Sequence, residues 1–365
     1  MLPRDREGRV LLRGVPRARL LAWATGEAGL RPGQADVLWA ALYRDLCSDL
    51  EGVAGLQRDV RARLAGLVRL DTLRLDDVRR AADGTCKLVF ATDDGAAVES
   101  VLIPGPERAT LCVSSQIGCA MGCGFCLTAT MGLGRNLRAA EIVDQFVIAR
   151  RHFPDVWISN VVFMGMGEPL HNLDEVLPAI EVLTDDRGLG LSHRRVTVST
   201  SGLVPQIARF VAASDAQLAV SVNATTDALR DVLMPVNRKY PLGVLFAALR
   251  ALPLPRRARV TLEYVLLAGV NDSLADAERL ADLVQGLPCK LNLIPYNPHP
   301  GSAFRRPDPD QVAAFKAYLQ ARHLNTSIRA TRGDDTMAAC GQLGRSPPPG
   351  SSAPRRLRPL PVIAS

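Results

Sequence analysis

Cys119-Ala-Met-Gly-Cys123-Gly-Phe-Cys126 gathers three thiols within eight residues, among small side chains that let a backbone wrap tightly. Three thiolates at this spacing can hold three irons of a 4Fe-4S cube and leave the fourth iron without a protein ligand. An iron open in that way can bind a substrate. The competing use of such thiols is zinc, but a structural tetrahedral zinc site takes four ligands, and no second pair at knuckle spacing lies nearby. The two are told apart by eye: a cluster protein prepared without oxygen is brown and loses its colour on Cys123→Ala, whereas a zinc protein is colourless.

A second segment gains meaning from the first. The apolar run Val161-Val162-Phe163 ends in Met164-Gly165-Met166-Gly167-Glu168-Pro169, with glycines where a backbone must approach a ligand closely. Alone, a Gly-Pro turn after a strand is usually only a turn. One strand beyond a three-cysteine loop it is a candidate pocket, because a free backbone carbonyl there can accept hydrogen bonds from the ammonium of S-adenosylmethionine (SAM), a pure donor. In radical SAM enzymes, whose cysteine loop this one resembles, the open iron chelates the amino and carboxylate groups of the same molecule, and one electron from the cluster cleaves its sulfonium to a 5′-deoxyadenosyl radical. Ser199-Thr200-Ser201-Gly202, Ser221-Val222-Asn223 and Asn297 also lie at or just past expected strand ends. Each could be an ordinary turn former; their shared position favours a pocket.

The elements that position these residues follow from periodicity. Expected strands are Thr110 to Val113, Trp157 to Phe163, Arg195 to Ser199, Leu218 to Val222, Val260 to Leu266, Lys290 to Ile294 and Ser327 to Ala330. Between them lie amphipathic stretches: Ala139 to Arg150, Leu173 to Leu183, Val204 to Ala213, Pro241 to Leu252, Leu274 to Val284 and Asp310 to Ala321. This alternation predicts an α/β fold of parallel βαβ units, an open or closed β/α barrel with its site at the carboxyl ends of the strands. Residues 1–68 read as a helical N-terminal accessory domain, with helices over Gln34 to Leu46 and Leu56 to Leu67; residues 69–108 read as a bridging β element, with strands Lys87 to Ala91 and Val98 to Ile103 about an Asp93-Asp94-Gly95 turn. Residues 109–343 form the core domain, and the Pro-, Ser-, Gly- and Arg-rich residues 344–365 are expected to be a disordered tail.

Composition sets the class. Of 365 residues, 47% are apolar, enough for a sizeable core, and no stretch approaches the 18 uninterrupted apolar residues of a membrane span. Without an export signal, the expectation is a cytoplasmic monomer with no membrane partner, whose eight cysteines serve as ligands or redox groups rather than structural disulfides. A net charge of +7 suits a polyanion such as RNA, although a GC-rich genome that encodes Arg in place of Lys explains it about equally well.

Several blocks together carry a family resemblance: Arg108-Ala-Thr-Leu-Cys112-Val-Ser-Ser-Gln-Ile-Gly-Cys119, Gly165-Met-Gly-Glu-Pro169, Arg195-Val-Thr-Val-Ser-Thr-Ser-Gly202, Met234-Pro-Val-Asn-Arg-Lys-Tyr240, Asn292-Leu-Ile-Pro-Tyr-Asn-Pro298, Thr331-Arg-Gly-Asp-Asp335 and Ala339-Cys340-Gly-Gln-Leu343. From about Gln34 to Leu343 the chain resembles the RlmN-type dual-specificity RNA methyltransferases, a radical SAM family. The resemblance implies a (β/α)6 partial TIM barrel, methylation of C2 of an adenosine in 23S rRNA and in some tRNAs, and a 4Fe-4S cluster on Cys119, Cys123 and Cys126. It also implies two SAM molecules per turnover and an electron donor such as flavodoxin or ferredoxin. Carried over residue by residue, Gly167, Glu168, Ser199, Ser221, Val222, Asn223 and Asn297 contact SAM; Cys340 becomes S-methylated, Cys112 is its partner in a transient disulfide, and Glu99 accepts a proton. Ser221-Val222-Asn223 departs from the Ser-Leu-His of many members, and Leu127-Thr128-Ala129-Thr130 from the commoner Thr-Gly sequence after the third cysteine.

Taken without the resemblance, an acidic residue like Glu99 on an exposed strand is usually a solvated side chain, Cys112 in an apolar strand is by default an inert buried thiol, and Cys340 reads as a mobile loop thiol. Cys47, Cys86 and Cys289 read as packing residues. Arg108, Arg135 and Arg332 lie nearest the motif blocks, with structural ion pairing as the default role of each. Three alternatives stay open at this stage: methylation of adenosine at C8, as in the related Cfr-type enzymes; a radical SAM reaction on a substrate other than RNA in which Cys340 is inert; and a non-enzymatic RNA-binding or zinc protein, which would not cleave SAM under dithionite.

Overall fold

The computed structural model describes residues 2–256 and 258–344. Of the tail expected to be disordered, all but Gly344 lies outside the described residues. The N-terminal region comprises β1 (Val10–Leu11), α1 (Arg17–Gly26), α2 (Pro32–Tyr43), α3 (Arg58–Ala65) and β2 (Val68–Arg69). Three strands follow: β3 (Leu73–Arg80), β4 (Cys86–Thr92) and β5 (Ala97–Ile103). The remainder begins with β6 (Ala109–Cys112), the hairpin of β7 (Gln116–Gly118) and β8 (Leu133–Asn136) around the short helix α4 (Leu127–Thr130), α5 (Ala139–His152) and β9 (Ile158–Phe163). It continues through α6 (Leu173–Thr184), β10 (Val196–Thr200), α7 (Val204–Ala213), β11 (Gln217–Ser221), α8 (Asp227–Leu233) and α9 (Leu242–Arg250). It ends with β12 (Val260–Leu266), α10 (Leu274–Leu283), β13 (Cys289–Pro295), α11 (Pro309–Ala321) and β14 (Thr326–Ile328).

Ten strands form one sheet in the order β14-β13-β12-β11-β10-β9-β6-β5-β4-β3. Every neighbouring pair from β6 to β14 is parallel and crossed over by helix, as the alternating pattern predicts, and the strand order is that of an open barrel. The hairpin strands β3 to β5 continue the same sheet in antiparallel sense, through β5 on β6. An α/β partial barrel is therefore the fold.

The N-terminal helices share one apolar core with the barrel, which runs from Val10 and Trp39 through α5 to Phe315 and Leu319. Helix α5 is buried on almost every face because it lies between the sheet and those helices. Charge also crosses this junction: Arg13, wholly buried, donates to Asp144 of α5 at 3.0 Å and pairs with Asp71, while Asp144 accepts from the Thr72 hydroxyl at 2.6 Å.

Boundaries depart from expectation where chemistry overrides periodicity. Helix α2 stops at Tyr43, three residues short of Leu46, which adopts a left-handed φ of 55°. Helix α3 covers only Arg58–Ala65. Strand β3, Leu-Arg-Leu-Asp-Asp-Val-Arg-Arg, shows only a weak hydrophobic pattern, Leu73, Leu75 and Val78 among five charged residues: it is the sheet's edge, where charged side chains are tolerated and discourage further pairing.

Candidate active site

The cysteine loop is held by the β7–β8 hairpin at its base. Gly118, with φ of 73°, sits so close to the opposite strand that a Cβ would fall 1.8 Å from the Gly132 carbonyl oxygen, and Cys119 N donates to that same oxygen at 2.8 Å. Inside the loop Gly122 has φ of 69° and Gly124 N donates to Leu233 O at 2.9 Å, tying the loop to α8. Burial pushes the Cys119 thiol up to about 12, and it raises Cys123 and Cys126 as well; in addition, Cys126 opposes the ionisation of both Cys119 and Cys123. Three mutually interacting, desolvated thiols cannot all ionise without a cation among them, which is what a cluster of irons supplies. Among the described residues no three Cys, His, Asp or Glu side chains converge as ligands of a single ion; in a 4Fe-4S cluster each of the three thiolates would hold an iron of its own.

The Gly-Glu-Pro loop follows β9. Its glycines are required by the protein itself: a Cβ on Gly165 would meet Ser114 Oγ at 2.6 Å, and one on Gly167, φ 100°, would meet Gln116 Cβ at 2.5 Å. Close approach to the segment leading into the cysteine loop is enough to require glycine at both positions. Glu168 is buried, with Oε2 accepting from Ser201 N at 2.7 Å and Oε1 from Leu170 N at 3.1 Å, while its own N–H donates to Gln116 Oε1 at 2.8 Å. Burial raises its carboxyl above the ordinary range, against the pull of those N–H donors. The carboxylate thus locks the ends of β9 and β10 together.

Ser199, Ser221, Val222 and Asn223 occupy the ends of β10 and β11, as expected. Arg230 of α8, fully buried, ties those ends by donating to Val222 O at 3.0 Å, Ser201 O at 2.8 Å and Ser221 O at 3.0 Å; burial pulls its guanidinium down to about 10. Asn223 adopts a left-handed φ of 57°, which Asn tolerates better than most residues, and its Oδ1 accepts from Val265 N at 2.8 Å. Its Nδ2 donates to Met234 Sδ at 3.2 Å. Asn297, past β13, donates to Cys340 O at 3.2 Å and accepts from Arg306 at 2.6 Å and Thr331 at 3.0 Å.

The segment after β14 crosses the mouth of the barrel. Leu127 N donates to Gly341 O at 2.7 Å, Thr128 Oγ1 to Leu343 O at 2.6 Å and Gln342 Nε2 to Pro298 O at 2.7 Å. Cys340 and Cys112 line the same cavity of about 230 Å³, together with Met164, Asn297 and Arg329. Burial pushes the Cys112 thiol up to about 12, with the Cys340 thiolate raising it further and Arg329 opposing both. Glu99 lies in the adjoining strand β5. Far from being solvated, it is 3% exposed; Oε2 accepts from Gly344 N at 2.9 Å and pairs with Lys87 at 3.4 Å. The antiparallel register sets Glu99 opposite Val89, and the Lys87 partner came from β4, which sequence reasoning treated only as a strand.

None of the eight cysteines forms a disulfide, and Cys47, Cys86 and Cys289 pack against the main core as expected. Arg108, Arg135 and Arg332 each make an ion pair, with Glu107, with Asp94 and Glu141, and with Asp83 respectively. Sequence reasoning missed Lys87, Arg230, Glu263 and Arg329, although Glu263 is flagged by its own strand: it is a lone charge inside Val-Thr-Leu-Glu-Tyr-Val-Leu.

Residues 113–284 match the radical SAM superfamily. The chain is 48% identical to a dual-specificity RNA methyltransferase RlmN of Anaeromyxobacter sp. (strain Fw109-5), over 98% of this chain and 96% of that one. It belongs to the RlmN family. The RlmN of Geobacter sulfurreducens is 51% identical over 83% of each chain. A crystal structure of a radical SAM methyltransferase from Sphaerobacter thermophilus superposes with a TM-score of 0.87 at 41% identity, covering 93% of this chain and 99% of that one. As an RlmN-family radical SAM methyltransferase of RNA, the enzyme uses a 4Fe-4S cluster and SAM. Among the described residues no helix is long and apolar enough to cross a membrane.

Proposed function

We propose that the enzyme methylates C2 of an adenosine in 23S rRNA and in tRNA, through a methyl group carried on Cys340. C2 of adenine lies between two ring nitrogens and is electron-poor, so it does not attack an electrophilic methyl group. Bound SAM and cluster supply the radical that activates the methyl group for addition to that carbon. Everything else falls to the chain: Cys119, Cys123 and Cys126 hold the irons; Gly167, Glu168, Ser199, Ser221, Val222, Asn223 and Asn297 shape the SAM pocket; and Cys340 first accepts a methyl group from one SAM and then presents it.

Addition ties the RNA to Cys340. Glu99 takes the C2 proton, a task suited to a buried carboxylate beside Lys87 and within the same cluster of groups as the Cys340 segment. After that proton and one electron, which a bound cluster would take back, have left the adduct, the Cys112 thiolate attacks the Cys340 sulfur: the S–S bond forms as the S–CH2 bond breaks, the methylene carbon takes up a proton to become the methyl group of the released RNA, and an external two-electron reductant restores both thiols. The observation that carries this reading is the pairing of Cys112 and Cys340 in one cavity at the barrel mouth. A monomer working in the cytoplasm, reduced by a flavodoxin or ferredoxin, completes the proposal.

Mass spectrometry of digested rRNA and tRNA from a strain lacking the gene, with and without its restoration, tests it. Loss and recovery of 2-methyladenosine is the expected result. Recovery of 8-methyladenosine, or modification unchanged by the deletion, overturns it.

A further inference from the structure

We propose that Glu263 binds the ribose hydroxyls of SAM, as a vicinal-diol receptor inside the barrel. The side chain is 7% exposed. A carboxylate withdrawn from water is costly unless each oxygen finds a donor. One does: Oε2 accepts from Ser199 Oγ at 2.9 Å. The other, Oε1, is buried without a hydrogen-bond partner. Arg329 Nη1 stands 3.9 Å from it, near enough for Coulomb attraction and too far for a hydrogen bond.

Topology shows which way the carboxylate faces. Ser199 is on β10 and Glu263 on β12, with β11 between them. The two side chains therefore share one face of the sheet, and Arg329 beside Glu263 lines the cavity at the barrel mouth, which places the pair on the inner face. Main-chain register sets Glu263 between Ser221 on one side and Asn292 on the other, level with the β11 end of the SAM pocket. Arg329 also reaches Met164 Sδ, at 3.4 Å, which places the far end of this group beside the Gly-Glu-Pro loop and the cavity of the two reactive cysteines.

The ligand's chemistry completes the match. With its amino-acid end at the cluster, SAM must lay its nucleoside along the barrel interior. A ribose diol offers two neighbouring O–H donors, and an acceptor-only carboxylate with an unused oxygen is suited to them. An amide of the same shape has one acceptor and a competing donor, so Glu263→Gln tests charge and acceptor capacity with little change in volume.

The experiment is equilibrium dialysis of the cluster-loaded enzyme with S-adenosylhomocysteine and with its 2′-deoxy and 3′-deoxy forms, a readout independent of turnover. The wild-type enzyme is expected to bind at least one deoxy form about 10- to 100-fold more weakly, the range for a hydrogen bond to a charged group. Glu263→Gln is expected to bind all three within about threefold of one another. Equal binding of the three by wild type overturns the proposal without any variant. So does wild-type discrimination retained by Glu263→Gln, which leaves the carboxylate as a counter-ion of Arg329 alone. Should that variant fail to fold, Glu263→Asp in its place must lower the discrimination.

Discussion

The hairpin under the cysteine loop offers a matched pair of glycines. Gly118 and Gly132 have nearly the same left-handed φ, 73° and 68°, yet a Cβ on Gly132 meets nothing within 4 Å while one on Gly118 falls 1.8 Å from the Gly132 carbonyl oxygen. Alanine at either position costs about 1–2 kcal/mol for the left-handed backbone. At Gly118 the carbonyl must also retreat by more than about 1 Å, an overpacking cost of about 1–3 kcal/mol. That movement forfeits the Cys119 N–H bond to the same oxygen, worth about 1 kcal/mol. Gly118→Ala is therefore expected to destabilise the apo-protein by about 3–6 kcal/mol against about 1–2 for Gly132→Ala. Urea unfolding measures both. Iron and sulfide content after anaerobic reconstitution measures the consequence, since only Gly118→Ala displaces Cys119; it is expected to lose most of its iron while Gly132→Ala keeps it. Equal stability and equal iron in the two variants would refute the reasoning.

Arg13→Leu strands the buried Asp144 carboxylate and should cost about 3–5 kcal/mol in urea unfolding; a loss below about 1 kcal/mol contradicts the buried-pair account. Arg230→Lys cannot hold the Ser201, Ser221 and Val222 carbonyls at once and should weaken SAM binding at least about tenfold, measured by equilibrium dialysis, with unchanged affinity as the contrary result. Because the folded-state value of Cys112 lies above that of a free thiol, the fold favours the neutral form: that contribution is complete below the ordinary thiol value and is lost as pH rises towards about 12. Release of RNA from Cys340 in a single turnover should therefore accelerate about tenfold per pH unit between pH 7 and 9, and a flat profile contradicts thiolate attack by Cys112.

The parallel strands were legible in the sequence because both faces of such a sheet are covered and their strands read as apolar runs; Val260–Leu266 is reproduced residue for residue. Strand β3 was hidden because edge position decouples a strand from burial. The motif glycines carry a constraint the sequence does not show: Gly165 and Gly167 make room for Ser114 and Gln116, contacts between segments about fifty residues apart that no local pattern encodes. Glu99 shows the same limit from the other side. Its local sequence, Ala-Val-Glu-Ser-Val, suits a half-exposed strand, and only the Cys340 segment folding over β5, with Lys87 beside it, turns it into a buried carboxylate. The three cysteines proposed to hold the cluster stand out in the sequence because their spacing is what that chemistry asks for.

The relay between two cysteines is open to one direct measurement. Cys112→Ala enzyme, loaded with cluster and supplied with SAM, reductant and RNA, should accumulate protein covalently joined to RNA, and peptide mass spectrometry should place the joint on Cys340. Free methylated RNA released at the wild-type rate, or an adduct on any other residue, would contradict the account.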